Sequence, residues 1–150
     1  LFLRGVKQSK VIVKKFRTSF FPTQEEAIKD YFETTKKSFQ PEIVFTHYRE
    51  DRHQDHSLVS DLTWNTFRDH LILEYEVPKY DGDLGIPNFF VPLNDATARR
   101  KGKNLVPAFA SQSGKHWFTE DTFLALMRLR GVECAARYAE AFYCRKLVCG

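Results

Sequence analysis

The stretch IVFTHYREDRHQDH (residues 43–56) opens with a short apolar run, Ile43 to Thr46, made of residues that favour β-structure. Such a run predicts a buried strand. We expect a loop from His47 to Gln54 at the carboxyl end of this strand, followed by a helix from near Asp55 to about His70. Functional sites in α/β folds lie outside the carboxyl ends of the strands, so this loop is the expected position of a site.

The residues upstream predict a strand and a helix. The apolar triplet within residues 11–16 predicts a strand. The segment 22–26 then predicts a helix start in which Thr23 and Glu26 form a capping box, and Pro41 ends the helix. Strand, helix and strand joined by short links predict parallel strands with a right-handed crossover.

Strands and helices continue to alternate downstream. We predict strands at 71–77 and 89–93, a helix capped by Asn94 or Asp95, a helix from Thr119 to about Arg130, and a final strand or short helix at 138–148. This alternation predicts an α/β, Rossmann-like fold in three layers: an open, mostly parallel sheet with helices on both faces. At 150 residues the chain is expected to be a single domain.

The composition is that of a globular protein with a packed core. Hydrophobic residues make up 43% and aromatic residues 15%, and the net charge is +4. No apolar run approaches the ~18 residues that span a bilayer. The three cysteines, which form no C-x-x-C pair, favour a reducing cytoplasm. The basic cluster Arg99, Arg100, Lys101 and Lys103 has no interleaved aromatic residues, so nucleic-acid binding is not expected.

Three of the five histidines lie within residues 47–56. Imidazole is the commonest metal ligand in proteins, and zinc takes nitrogen and oxygen donors. The spacing of His53 and His56 can direct both rings at one cavity, with Asp55 orienting a ring through its second nitrogen. Alternatively, Asp55 caps the helix and His56 is an ordinary first-turn residue. A catalytic zinc normally has three protein ligands, and the sequence leaves the others unidentified.

Residues 43–47 followed by 51–56 resemble the H-x-D-H signature of the PIG-L/LmbE-like zinc-dependent N-deacetylases. The segment Tyr138-Ala139-Glu140-Ala141-Phe142, with Arg130-Gly131 before it, resembles the C-terminal segment of that family. The resemblance extends from about residue 11 to residue 148.

The resemblance implies roles for three residues. His56 would be a ligand of one Zn²⁺ ion. His53 would stabilise the tetrahedral oxyanion and protonate the leaving amine, and Asp55 would orient His53. The implied reaction is zinc-dependent removal of an N-acetyl group from an N-acetylated amino sugar or its conjugate, a small-molecule substrate. The alternative is a non-catalytic sugar- or nucleotide-binding module, or an inactive fragment, of the same fold.

Three further residues are candidates for substrate binding. Arg49 and Arg52 flank the loop, where each can bind a phosphate or sugar-linked anion. Their alternative is a salt bridge with Glu50 or Asp51. Glu140 lies in an apolar stretch, where it either faces the cleft or pairs with an arginine such as Arg130.

The first signature of the family, H-P-D-D, occurs nowhere in the 150 residues. By the resemblance it follows a central strand and supplies two further zinc ligands and an aspartate general base. We therefore expect an N-terminally incomplete domain (1–150) with exposed sheet edges and weak zinc binding on its own. The residues upstream of Leu1 would discriminate the enzyme from the binding module. Homo-oligomerisation is left open.

Overall fold

The computed structural model describes residues 10–148, which form two compact units. The first unit comprises 16–91 and 141–148, and the second comprises 10–15 and 92–140. Besides two one-turn 3-10 helices at Phe21–Gln24 and Ala110–Gln112, the elements in chain order are α1 (Glu25–Ser38), β1 (Ile43–His47), α2 (Gln54–Thr66), β2 (Leu71–Tyr75), β3 (Phe89–Leu93), α3 (Asp95–Ala108), α4 (Glu120–Glu133) and β4 (Tyr138–Cys144).

The four strands form one sheet in the order β1-β2-β4-β3. Strands β1 and β2 are parallel, with His47 opposite Tyr75, whereas β2 and β4 are antiparallel, with Glu74 opposite Tyr143. The predicted α/β class is therefore confirmed, and the sheet that the helices flank is a mixed one. In the described part of the sheet, β1 is an edge strand, and the prediction that it is buried is wrong, because Ile43 and Phe45 are 45% and 55% exposed.

The first unit packs the crossover helix α2 against the parallel pair β1 and β2. Leu62 of α2 and Ile72 of β2 are buried in its core. The hydroxyl groups of Thr46 and Thr63 share a buried hydrogen bond of 3.0 Å, which ties the end of β1 to α2. This tie fixes the position of His47, the next residue along the chain.

The second unit contains α3 and α4, and both begin at the predicted caps. The Asn94 side chain accepts a hydrogen bond from the Thr97 backbone N–H at 2.8 Å, and the Thr119 side chain accepts one from the Thr122 backbone N–H. Each bond satisfies a backbone donor that the first helical turn leaves open. No helix in residues 10–148 has the length and apolar character needed to cross a bilayer.

The predicted strand at 11–16 is wrong. This segment is irregular, and Val11 and Val13 are 55% and 79% exposed. Apolar β-branched residues form a strand only where a neighbouring strand supplies hydrogen bonds, and no strand of the described chain pairs with this segment.

The predicted capping box at the start of α1 is also wrong. The Thr23 hydroxyl donates to the Phe20 carbonyl at 2.9 Å, inside the 3-10 turn that precedes the helix. The N-cap of α1 is instead Gln24, whose side chain makes no capping bond. Pro22 at the start of the 3-10 turn begins the helical path earlier than the capping pattern indicated.

Replacing Gly131 with alanine is expected to destabilise the protein. A Cβ at Gly131 would lie 2.7 Å from the Arg137 backbone and 2.8 Å from the Ala136 carbonyl oxygen, neither of which can move independently. We expect Gly131→Ala to lower the free energy of unfolding by about 1–3 kcal/mol in chemical denaturation. Gly114→Ala is the matched control, since nothing lies within 4 Å of its Cβ position. Equal stability of the two variants would contradict the close approach.

Candidate metal centre

The candidate site lies where the chain leaves β1 and enters α2. A tight turn follows His47, in which the Asp51 backbone N–H donates to the Tyr48 carbonyl at 3.0 Å. His53 is the N-cap of α2, and the first turn of the helix brings His56 over His47. The rings of His47 and His56 stack with centroids 3.9 Å apart, and those of His53 and His56 lie 4.6 Å apart. The structure thus brings the three histidines of the loop together.

The carboxylate of Asp51 is the centre of this arrangement, and Asp51 is only 3% exposed. Its Oδ2 lies 2.9 Å from His56 Nδ1 and 2.9 Å from Lys79 Nζ, and its Oδ1 accepts the His53 backbone N–H at 2.8 Å. Burial alone would raise the pKa of Asp51. The hydrogen bonds from His56, Lys79 and the His53 backbone outweigh burial and lower this pKa to about 2, so the carboxylate is charged at neutral pH.

These contacts fix which ring nitrogens carry protons. A charged carboxylate only accepts, so His56 Nδ1 donates to Asp51 and His56 Nε2 keeps an open lone pair. This is the carboxylate–histidine pairing that orients metal ligands. The Asp55 backbone N–H donates to His53 Nδ1 at 3.2 Å, so neutral His53 carries its proton on Nε2.

His47 is a neutral imidazole with an unused nitrogen. Burial, and to a smaller extent the proximity of His56, lower the pKa of His47 to about 4, and the charge of Asp51 offsets only part of this decrease. Its Nδ1 is buried and has no hydrogen-bond partner in residues 10–148, while its Nε2 lies 3.4 Å from the Tyr75 hydroxyl. A buried, unpaired nitrogen on a neutral ring has the electronic state that metal ligation requires.

Together, His47, Asp51 and His56 can hold a metal ion, because one donor atom from each lies within 4.8 Å of the others. Two imidazoles and a carboxylate suit a divalent transition metal. An imidazole lone pair lies in the ring plane, and the planes of His47 and His56 are only 6° from parallel. One of the two rings must therefore rotate before both can bind the same ion.

Asp55 has a different environment from the one the sequence indicated. Its Oδ2 accepts the Ser19 backbone N–H at 2.6 Å, and its Oδ1 accepts the Phe21 backbone N–H at 3.0 Å. The carboxylate therefore holds the segment before α1, where Ser19 adopts a positive φ of 66°. Asp55 contacts His53 through its backbone, and the alternative that Asp55 caps α2 is wrong because His53 is the cap.

The three predicted substrate-binding residues have different partners. Arg49 pairs with Glu74 at 3.1 Å, and Arg52 is exposed, with its backbone N–H donating to Asp83 at 2.8 Å. Neither arginine forms the alternative salt bridge with Glu50 or Asp51 in the described chain. Glu140, in the second unit, forms an ion pair with Lys101.

The sequence analysis missed Asp51, Lys79 and Asp83. Lys79 pairs with both aspartates, and the side chains of Lys79 and Asp83 are only 9% and 6% exposed. Lys79 and Asp83 lie in a segment that had the glycine-containing composition of an ordinary turn. The one available signal was Asp51 itself, an acidic residue at the start of the D-R-H-Q-D-H segment.

Several solved structures share this fold. A conserved protein from Thermus thermophilus aligns with a TM-score of 0.65 at 19% identity, covering 90% of this chain and 65% of that chain. The zinc-inhibited form of the teicoplanin deacetylase Orf2 aligns with a TM-score of 0.61 at 16% identity, covering 92% of this chain and 57% of that chain. The N,N'-diacetylchitobiose deacetylase from Pyrococcus horikoshii aligns with a TM-score of 0.60 at 20% identity, covering 85% of this chain and 54% of that chain.

These similarities show a common fold. The chain spans 54% to 65% of the length of the three structures. No family model matches the sequence, and no curated protein matches it.

The half-buried His47 makes the metal-free protein sensitive to acid. Its pKa falls from an ordinary 6.5 to about 4 on folding, so the unfolded chain takes up a proton in this range and the folded chain does not. The contribution of neutral His47 to the free energy of unfolding is complete above pH 6.5 and is lost as the pH falls to about 4. The loss amounts to at most about 3 kcal/mol.

We expect His47→Gln to show a weaker decrease in unfolding free energy between these two pH values, measured by urea denaturation in the presence of a chelator. His116→Gln, at an exposed position, is the control and should keep the wild-type profile. Identical profiles for all three proteins would show that His47 is not buried in its neutral form.

Proposed function

We propose that this chain is part of a zinc-dependent hydrolase that removes the N-acetyl group from an N-acetylated amino sugar or its conjugate. The observation that carries the proposal is the His47, Asp51 and His56 group at the carboxyl end of β1. The proposal is supported by the fold that the chain shares with three deacetylases, which are named for teicoplanin, the A40926 pseudoaglycone and N,N'-diacetylchitobiose. Assignment to the PIG-L/LmbE-like family and a cytoplasmic location stay predictions.

In this proposal His56 Nε2 and His47 Nδ1 would hold the ion. Asp51, whose oxygens already accept hydrogen bonds, would orient His56. The open lone pair on His56 Nε2 and the unpaired His47 Nδ1 supply the donors. Zinc, when bound, lowers the pKa of a water molecule and polarises an amide carbonyl. The Lys79 ammonium keeps Asp51 charged, which strengthens the hydrogen bond that orients the His56 ring.

His53 is proposed to act on the reacting amide. Its Nε2–H is available to donate to a developing oxyanion or to the leaving nitrogen, since its Nδ1 is already an acceptor. Asp55 would position His53 through the backbone N–H that fixes this tautomer, with its carboxylate anchoring the Ser19–Phe21 turn. Arg52, the exposed neighbour of His53, and Arg49 and Glu140 remain proposed substrate contacts.

A specific observation favours a second candidate, a non-catalytic sugar-binding module on the same fold. Amide hydrolysis requires a general base for the attacking water. Asp51 and Asp55 are the carboxylates nearest to His53 in the chain, and both oxygens of each already accept N–H bonds. Neither carboxylate is free to take a proton from water in this arrangement.

Zinc binding tests the metal centre independently of activity. We expect the wild-type chain to bind zinc weakly and His56→Ala to lose this binding, with bound zinc measured by native mass spectrometry in a zinc-containing buffer. Asp51→Asn should weaken zinc binding by about 10–100-fold, because it removes the group that orients His56. His116→Ala, at an exposed position outside the loop, should bind as the wild type does. Equal zinc content in all four proteins would eliminate this centre.

Acetate release tests the reaction. With N-acetylglucosamine and N,N'-diacetylchitobiose as substrates, we expect a chelator to stop acetate release by the complete protein and zinc to restore it. His53→Ala should retain zinc but lower kcat by about 10²–10⁴-fold, because a proton donor is lost. A complete protein that binds zinc and either sugar yet releases no acetate would support the binding module instead.

A further inference from the structure

A second polar cluster in the first unit surrounds the carboxylate of Glu74, which is 0% exposed. Its Oε1 accepts from Arg49 Nε at 3.1 Å, from Trp64 Nε1 at 2.7 Å and from Arg145 Nε at 2.9 Å. Its Oε2 accepts the Arg49 backbone N–H at 3.2 Å. These bonds satisfy a buried charge that would otherwise be costly to desolvate.

The cluster carries more positive charge than Glu74 requires. Two guanidinium groups share one carboxylate oxygen, so two positive charges meet a single negative charge at this contact. Each uses only its Nε, and the terminal nitrogens of Arg49 and Arg145 form no hydrogen bond within residues 10–148. The two side chains are 36% and 33% exposed, so about a third of each remains in contact with solvent.

Aromatic rings hold both guanidinium groups in place. The Arg49 guanidinium lies 4.8 Å from the Trp64 ring centroid. That of Arg145 lies 5.9 Å and 5.7 Å from the centroids of Tyr48 and Tyr143, which stack on each other at 4.0 Å. A ligand that binds these arginines would therefore meet side chains that are already ordered, at a lower entropic cost.

We propose that Arg49 and Arg145 form a binding site for a phosphate-class oxyanion, which their terminal N–H groups contact while Glu74 holds them from behind. Guanidinium forks match the oxygen geometry of phosphate, and a tetrahedral anion has enough oxygens to bridge two forks. The bound anion would offset the excess charge. The site shares Arg49 with the proposed substrate contacts but requires none of the proposed metal ligands, so its failure would leave the zinc proposal standing.

The competing explanation is that both arginines serve only to neutralise Glu74. Glu50 offers a way to separate the two explanations, because it is exposed and follows Arg49 in the chain. Burial lowers the pKa of Arg145, but Glu74 and, to a smaller extent, Tyr48 and Glu50 raise it above its usual value. Glu50 therefore lies close enough to repel an incoming anion.

The test is calorimetric titration of the full chain with inorganic phosphate, at constant ionic strength and with a chelator that removes bound metal. We expect saturable binding to the wild type. Arg49→Gln and Arg145→Gln should each weaken it by about 10–100-fold, because each removes charged hydrogen bonds. Glu50→Gln should tighten binding. Arg99→Gln, which removes an exposed positive charge in the second unit, should leave it unchanged.

The tryptophan indole N–H signals in NMR provide a readout that needs no variant. Trp64 contacts Glu74 and Arg49, so its signal should shift as phosphate binds, whereas the Trp117 signal should not. If Arg145→Gln fails to fold, Arg145→Lys takes its place, since it keeps the charge beside Glu74 but loses the fork; it too should bind phosphate more weakly.

A parallel titration with glucose 6-phosphate identifies the source of the anion. Binding of both ligands indicates a phosphate monoester as ligand, and binding of inorganic phosphate alone indicates the free ion. The absence of saturable binding to the wild type would overturn the proposal. Weakening by Arg99→Gln equal to that by the two site variants would overturn it as well.

Discussion

The buried carboxylate of Asp51 joins the loop after β1 and the start of α2 to Lys79, which is distant in sequence. It accepts hydrogen bonds from His56 in α2, from Lys79 in the loop after β2, and from the backbone of His53. Because the carboxylate stays charged, it fixes the tautomer of His56 and leaves the outer nitrogen of that ring available. The stacking of His47 on His56, and with it the whole candidate metal centre, depends on this one group.

Two buried carboxylates thus organise the first unit in different ways. Asp51 is surrounded by a lysine and a histidine beside two further imidazoles, which is an environment for a cation. Glu74 is surrounded by two arginines and a tryptophan, which together leave an excess of positive charge for an anion. Both carboxylates lie near the carboxyl ends of β1 and β2, where α/β folds place their ligands.

The fold was predictable from the sequence to a large extent, and the site only in part. The strand at 43–46 and the caps Asn94 and Thr119 were located correctly, because this strand has a partner in β2 and a helix cap depends on residues within a few positions. The strand at 11–16 was wrong for the opposite reason, since a strand needs a partner that its own sequence does not contain. The chain shares its fold with two deacetylases, and the aligned part makes up 57% and 54% of their lengths.

The sequence by itself determined that an α/β crossover would carry three histidines at the end of a strand, because hydrophobic periodicity and the H-x-x-H spacing are local properties. Only the tertiary structure decided which partners those histidines have. Lys79 reaches Asp51 from a loop beyond β2, and Asp55 turns away to hold the Ser19 and Phe21 amides. Such contacts depend on packing between distant segments, and packing also sets the burial that keeps His47 neutral.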